Sequence, residues 1–422
     1  MKNFFQFTLL SLYFFVFLIS ETSFNLYLSW DRIVPQFLFL SILNTVSFAH
    51  LIRNNQLLES IKSSFKEKII LCYSLFILIS FFSIFFADNI SEALVTLSKY
   101  STYLVSFISI YSIAKTVRKN FLTYFLIFSC VALFIESLSI VYNVIDRVLI
   151  EGNTFERDSF LLRTFAGNIN ISANSIVSKI MVVYLLIYRY NNKKILLSSY
   201  FLLFISFSAL FILLTRTAFL SLALATVLIM AWNYKKFLSR SLPILSIILI
   251  GYYFVKQNIN TVNQDEIYTR IASTVDTQDD SINERLGYYG DALESIKEKP
   301  ILGIGVGNWK IKSIKYASQS VVGYTVPYHA HNDFLQLAAE IGLAGAAFYL
   351  MIYLIPFYNV FIKIKNKVLD NFNLIGTSII FVIFIDSMLN FPIARPINHI
   401  FLIFTLVVLM LTSKSNFSNE DY

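Results

Sequence analysis

Long apolar runs, broken by short polar segments, make up most of this chain. A membrane-spanning helix needs about 20 mostly apolar residues. By that measure the pattern predicts twelve spans, with cores near residues 4–20, 34–52, 69–87, 92–114, 121–145, 168–188, 195–214, 217–231, 242–255, 333–355, 372–390 and 398–412. The eighth, ninth and last are short, and the fourth carries Lys99. Residues 256–332 form the one long polar stretch. The expected fold class is an all-α polytopic membrane protein of about twelve transmembrane helices, with one large loop that contains short helices.

Composition removes the soluble classes. Of 422 residues, 56% are hydrophobic and 14% charged, which fits no ordinary soluble core. The net charge of +8 reads as topology. With the N-terminus inside, the inner segments hold Lys2; Arg53, Lys62, Lys66 and Lys68; Lys115, Arg118 and Lys119; Arg189, Lys193 and Lys194; Lys235, Lys236 and Arg240; Lys363, Lys365 and Lys367; and Lys414. The short outer loops hold only Arg32, Arg147, Arg157, Arg163, Arg216 and Arg395. Positive residues stay inside, so both termini are expected in the cytoplasm and the 256–332 loop outside. No basic cluster is interleaved with exposed aromatics, which argues against nucleic acid. Cys72 and Cys130 fall inside apolar spans and imply neither a disulfide nor a metal framework. The first apolar segment is followed by "SETSF", a poor cleavage site, so it reads as the first helix. The polar tail, 413–422, is expected to be disordered.

Function is expected in the long outer loop. Ser281 to Glu284 reads as a capping box. Ile282, Leu286, Tyr289, Leu293 and Ile296 then recur at helical spacing, predicting an amphipathic helix with one face on the protein or the bilayer. Pro300 stops it. "GIGVGNW", Gly303 to Trp309, is a glycine-rich turn in which Gly303, Gly305 and Gly307 are structural. It lacks the strand–turn–helix context of a dinucleotide site. Two of the four histidines, His329 and His331, follow at the mouth of the tenth span.

"HNDFLQLAAEIGLAG", His331 to Gly345, has the form His-Asn, nine residues, Gly-x-x-Gly. It resembles the signature of the O-antigen ligase and O-antigen polymerase superfamily. "LLTRTAFLSL", with Arg216, and "NERLGYYGDALESIKEKPILGIGVGNW", with Arg285, are similar to further parts of that family; "GNINISAN", Gly167 to Asn174, is a weaker match. The strong part covers roughly residues 205–345. The resemblance implies a GT-C-like enzyme of the bacterial inner membrane that needs no metal or other cofactor. It implies transfer of a glycan from an undecaprenyl-pyrophosphate carrier to an acceptor hydroxyl on the periplasmic face. A ligase uses a lipid A-core sugar as acceptor, and a polymerase a second lipid-linked repeat; the ligase is favoured. The implied organisation is N-terminal transmembrane helices over 1–204, a ligase/polymerase-type core over 205–355, C-terminal transmembrane helices over 356–412 and a cytoplasmic tail over 413–422.

The residues present suit that chemistry. A pyrophosphate leaving group gains negative charge, which fixed positive donors stabilise. Arginine stays charged and grips phosphate bidentately. Arg216, set between two apolar stretches, needs a partner or a water-filled cavity, and Arg285 lies at the edge of the apolar face of the loop helix. A sugar hydroxyl needs a base, and histidine serves near neutral pH. His331 precedes a helix that Asn332 or Asp333 can cap, and the positive helix end disfavours imidazolium. The expected catalytic set is His331, Arg216 and Arg285. His329, Asn332 and Arg395 join the two arginines in binding substrate. A His329–His331 metal pair is not favoured, since Asp333 is the one carboxylate close by in sequence. His50 lies at an inner helix end, while His399, near Arg395, is either a site member or a hydrogen-bonded helix-end residue. Glu340 lies nine residues past His331, about 13 Å deeper at ~1.5 Å per residue. It is expected to meet a buried cation, with Lys99 and Lys179 as candidates, or polar backbone. Gly342 and Gly345 are expected to let membrane helices approach closely. A transporter of lipid-linked sugars would show internal repeats and broken helices near mid-membrane; the sequence shows no repeat.

Overall fold

A computed structural model describes residues 2–19, 33–152, 160–232, 234–258, 280–317 and 327–413. Among them no strand occurs and the α-helices are α1 (Lys2–Phe14), α2 (Val34–Arg53), α3 (Leu57–Phe65), α4 (Lys68–Ser83), α5 (Ile90–Thr116), α6 (Arg118–Val144), α7 (Ile169–Arg189), α8 (Lys193–Leu213), α9 (Arg216–Trp232), α10 (Tyr234–Asn258), α11 (Asp280–Glu298), α12 (Trp309–Ala317), α13 (Asp333–Lys365), α14 (Asn371–Leu389) and α15 (Pro396–Ser413). The chain is a polytopic membrane protein. Among the described residues, eight helices are long and apolar enough to cross a membrane: α2, α4 to α8, α13 and α14. The apolar parts of α1, α9, α10 and α15 are shorter. Each of the twelve expected spans overlaps one of these helices, though α1 ends at Phe14, short of the span expected to residue 20. The short, amphipathic α3 was not expected, because its nine residues fall below the length a hydropathy window detects.

Asparagines start several of the helices. Asn89 accepts the Glu92 N–H at 3.1 Å to open α5, and Asn168 accepts those of Asn170 and Ile171 at 2.9 and 3.2 Å to open α7. Each fills one of the donors that a helix start leaves without an internal partner. Leu214 ends α8 in the left-handed conformation, φ +44°.

The chain forms two compact units. The first holds residues 1–117, 277–359 and 387–407, and the second holds 118–276, 360–386 and 408–422. Aromatic side chains fill the first unit, among them Tyr13, Tyr73, Phe76, Tyr103, Phe107, Tyr349 and Tyr353. The hydroxyls of Tyr13, Tyr73, Tyr349 and Tyr353 find partners within the apolar interior. Tyr13 donates to Asn44 Oδ1 at 2.8 Å, and Tyr111 to Glu67 Oε1 at 2.6 Å. His399 is buried here, with its Nε2 2.8 Å from the Tyr73 hydroxyl and its ring 4.2 Å from that of Tyr103. Those contacts make it a hydrogen-bonded helix residue of the aromatic core.

In the second unit α7 is buried almost throughout. Its Lys179 Nζ lies 2.9 Å from Glu136 Oε1 of α6. Lys179 is therefore the partner of Glu136 and does not serve Glu340. Lys99, in the first unit, sits over the Phe37 ring at 5.6 Å.

Candidate functional site

The first unit brings α11, the glycine turn, the start of α13 and the 387–395 connection together. Helix α11 begins at Asp280, one residue before the expected cap at Ser281, and ends before Pro300. Part of the expected apolar face packs on the protein, and part stays exposed. Ala292 and Ser295 are fully buried, and Tyr288 and Ile296 pack with Ala292 against Trp309, Ala330, Leu335 and Ala339. Leu286 and Leu293, expected on that face, are 58% and 48% exposed. The reason is steric: the close approach is made where the side chains are small, at Ala292 and Ser295. Apolar spacing does not register that preference.

The glycine turn docks into a break in α13. Gly342 has φ +78° and ψ 169°, which interrupts the helix. The backbone groups released there are satisfied by the turn, as buried peptide groups must be. Ile304 N–H donates to Ala339 O at 2.9 Å, Gly305 N–H to Glu340 O at 2.8 Å, and Leu343 N–H to Pro300 O at 2.9 Å. Gly303, Gly305 and Gly307 all have positive φ, and a Cβ on them would strike Glu340, Ala87 and Thr96 respectively. Only glycine fits such a combination of left-handed backbone and close approach. A Cβ at Gly342 would meet the Ile301 carbonyl, so this glycine admits a loop backbone where a neighbouring membrane helix was expected. Gly345 does face a helix: its Cβ would lie 3.1 Å from Ile79 of α4.

Glu340 takes the polar-backbone alternative. Its Oε2 accepts the Gly307 N–H at 2.8 Å, and its Oε1 accepts the Trp309 N–H and the Gln336 amide, both at 3.2 Å. Asn308 exchanges two hydrogen bonds with the Asn89 backbone, at 2.8 and 3.2 Å. The turn is thereby fixed to α5 as well as α13.

His331 stands immediately above this assembly in the strained left-handed region, φ +55°. Asn332 caps α13 by accepting the Leu335 N–H at 3.0 Å. Asp333 instead accepts the Ile393 N–H at 3.1 Å, tying the helix start to the 392–394 turn. The Tyr289 hydroxyl donates to His331 O at 3.1 Å and lies 3.3 Å from Met388 O, while Arg285 Nη1 donates to Leu389 O at 3.2 Å. Arg285 thus caps the end of α14, where helix carbonyls lack internal partners and a cation is favoured.

Phe391 organises the remaining members. The His329 ring stacks on it at 4.1 Å, the His331 ring meets it edge-on at 5.1 Å, and Arg395 Cζ lies 5.5 Å from its centroid. The structure thus gathers Arg285, His329, His331, Asn332 and Arg395. Burial, followed by the positive charge of Arg285, pushes the His331 imidazole down to about 4. The expected neutrality holds, but its main cause is desolvation with a neighbouring cation. Among the described residues, His331 Nδ1 is buried without a hydrogen-bond partner. Phe391 and Tyr288 escaped the sequence reading, and Tyr289 entered it only as part of an apolar face. Phe391 lies in a connection far from His331, where no periodicity marks it.

Arg216 belongs to the second unit. It is the first residue of α9, two positions after the left-handed Leu214, and is partly exposed.

Residues 201–350 match the family model described as O-Antigen ligase. The matched segment contains Arg216, Arg285, the glycine turn, His331 and the Gly342–Gly345 pair. Phe391 and Arg395 lie beyond it. The match supports a membrane glycan function of the ligase/polymerase type. No curated protein matches the chain.

Proposed function

We propose that this protein transfers a glycan from an undecaprenyl-pyrophosphate carrier to a sugar hydroxyl of a lipid A core, at the periplasmic face of the bacterial inner membrane. The observation that carries the proposal is a half-enclosed His331, its ring edge-on to Phe391 and its carbonyl held by Tyr289, one turn along α11 from Arg285. His331 takes the proton of the acceptor hydroxyl. The freed oxygen attacks the anomeric carbon, and the bond from that carbon to the pyrophosphate oxygen breaks. Pyrophosphate leaves with the bonding pair and needs no proton, so positive side chains suffice to stabilise it. Arg285 and Arg395 supply that charge, and His329 and Asn332 contribute polar contacts to substrate. Arg216 is assigned to the pyrophosphate from its place in the matched segment. The bound pyrophosphate offsets the field of Arg285, which otherwise depresses His331, and so strengthens the base when donor is present. Both substrates are lipid-tethered, which accounts for a base at the mouth of a membrane helix. The inner basic clusters support cytoplasmic termini.

The deciding experiment is the envelope glycan of a deletion strain. Loss of attached glycan with accumulation of lipid-linked polymer is expected. Attachment of a single repeat would identify a polymerase, which joins lipid-linked repeats by the same chemistry. Unaltered envelope glycan would refute both.

A further inference from the structure

The segment Gly167–Asn174 has no part in the chemistry above, yet its polar side chains are almost all engaged. Ser172 Oγ donates to Arg163 O at 3.1 Å and lies 3.0 Å from Thr164 Oγ1. Asn174, buried at 1% exposure, divides its amide between two helices. Its Nδ2 donates to Asn170 O of α7 at 3.2 Å and to Thr217 Oγ1 of α9 at 3.1 Å, and its Oδ1 accepts from Ser221 Oγ at 3.0 Å. The next residue, Ser175, donates to Glu136 Oε2 at 2.7 Å and accepts from Lys179 Nζ at 2.6 Å. Helix α7 is thus locked to α6 by the Glu136–Lys179 pair, and one turn of it reaches across to α9.

Thr217 and Ser221 are four residues apart, so they share a face of the first two turns of α9. Arg216 is one residue before Thr217, about 100° further round the helix. Leu214 ends α8 in the left-handed conformation just before it. The direction of Arg216 therefore depends on what fixes the rotation of this first turn. Hydrocarbon gives no hydrophobic drive for one helix to hold another, and interhelical hydrogen bonds take that part. We propose that Asn174 is a positioning residue for Arg216: its amide clips Thr217 and Ser221, sets the rotation of α9 and so aims the guanidinium. The catalytic consequence rests on Arg216 acting on the pyrophosphate; the positional claim does not.

Two measurements on the full-length protein separate these parts. In a Cys72→Ser, Cys130→Ser background, Arg216→Cys is labelled with a charged, membrane-impermeant methanethiosulfonate. Adding Asn174→Ala or Thr217→Val is expected to change the labelling rate, and Thr217→Ser, which keeps the hydroxyl, to leave it unchanged. Should Asn174→Ala fail to fold, Thr217→Val removes the same bond from the other side. An unchanged labelling rate in the folded variants overturns the proposal. The second measurement is transfer from a synthetic undecaprenyl-pyrophosphate-linked oligosaccharide. Asn174→Ala is expected to raise the donor KM and lower kcat/KM by roughly 10–100-fold, the scale of an ångström-sized misplacement. It should cause no further loss when combined with Arg216→Ala. Equal losses in both backgrounds would mean that Asn174 supports the fold generally, and would overturn the positioning role. If Arg216→Ala is itself fully active, the assignment of Arg216 to pyrophosphate fails, and the labelling rates still decide whether Asn174 aims residue 216.

Discussion

Replacing His331 by glycine and by alanine separates its backbone from its side chain. The residue sits at φ +55°, a conformation that costs an L-residue about 1–2 kcal/mol and glycine almost nothing. Glycine adds unfolded-chain entropy worth about 0.4–1 kcal/mol in the opposite sense. Both variants lose the same ring contacts to Phe391 and Tyr288, so these cancel in the comparison. His331→Gly should therefore equal His331→Ala in stability or exceed it by up to about 1.6 kcal/mol. Turnover should fall in both by about 10²–10⁴-fold, the usual worth of a general base, with donor affinity largely kept. The wild-type imidazole, pushed down to about 4 by burial and Arg285, is the base only when neutral. The acid limb of kcat/KM is then expected near pH 4, with that of kcat higher because bound pyrophosphate offsets Arg285. The sign for stability follows from linkage. Below a pH of about 6.5 the unfolded chain binds a proton that the folded one refuses until about 4. Stability from this group is present above about 6.5 and lost as pH falls to about 4, and both variants should flatten that limb. Single-turnover transfer and unfolding in detergent micelles measure the two effects. Near-normal turnover in either variant would move the base elsewhere. A glycine variant clearly less stable than the alanine variant would refute the left-handed backbone.

Four further outcomes are expected. Glu340→Ala strands the N–H groups of Gly307 and Trp309 and the Gln336 amide, at about 1–3 kcal/mol for each buried donor; thermal unfolding should drop more than for Glu340→Gln, and an unchanged midpoint would contradict the docked turn. Arg285→Lys should weaken donor binding and turnover together, since a point charge cannot reproduce a bidentate grip; normal donor affinity in a binding assay would remove Arg285 from the site. A reporter fused after Lys297 should be periplasmic and one fused after Lys365 cytoplasmic, and the reverse would place the site on the wrong side of the membrane. Transfer should persist in excess chelator, whereas abolition with rescue by a divalent ion would promote His329 and His331 to metal ligands.

The positions of the membrane helices were legible in the sequence because a helix satisfies its own backbone and needs only a run of apolar side chains to sit in lipid. Hydropathy is local, and so is the His331–Gly345 signature, which runs from the residues just before α13 into its first turns. Partners are not local. Glu340 offered no clue that it would hold the N–H groups of Gly307 and Trp309, because those donors converge only after three left-handed glycines have folded the turn into the break at Gly342. Lys179 looked available to Glu340 until α6 brought Glu136 against it. The spacing of Leu286 and Leu293 marked an apolar face on α11, but the face that packs is decided by where another element can come closest, and Ala292 and Ser295 permit that approach. Phe391 carried no signal at all. Its ring gains meaning only when the 387–395 connection meets the start of α13, where one aromatic surface sets the positions of His329, His331 and Arg395.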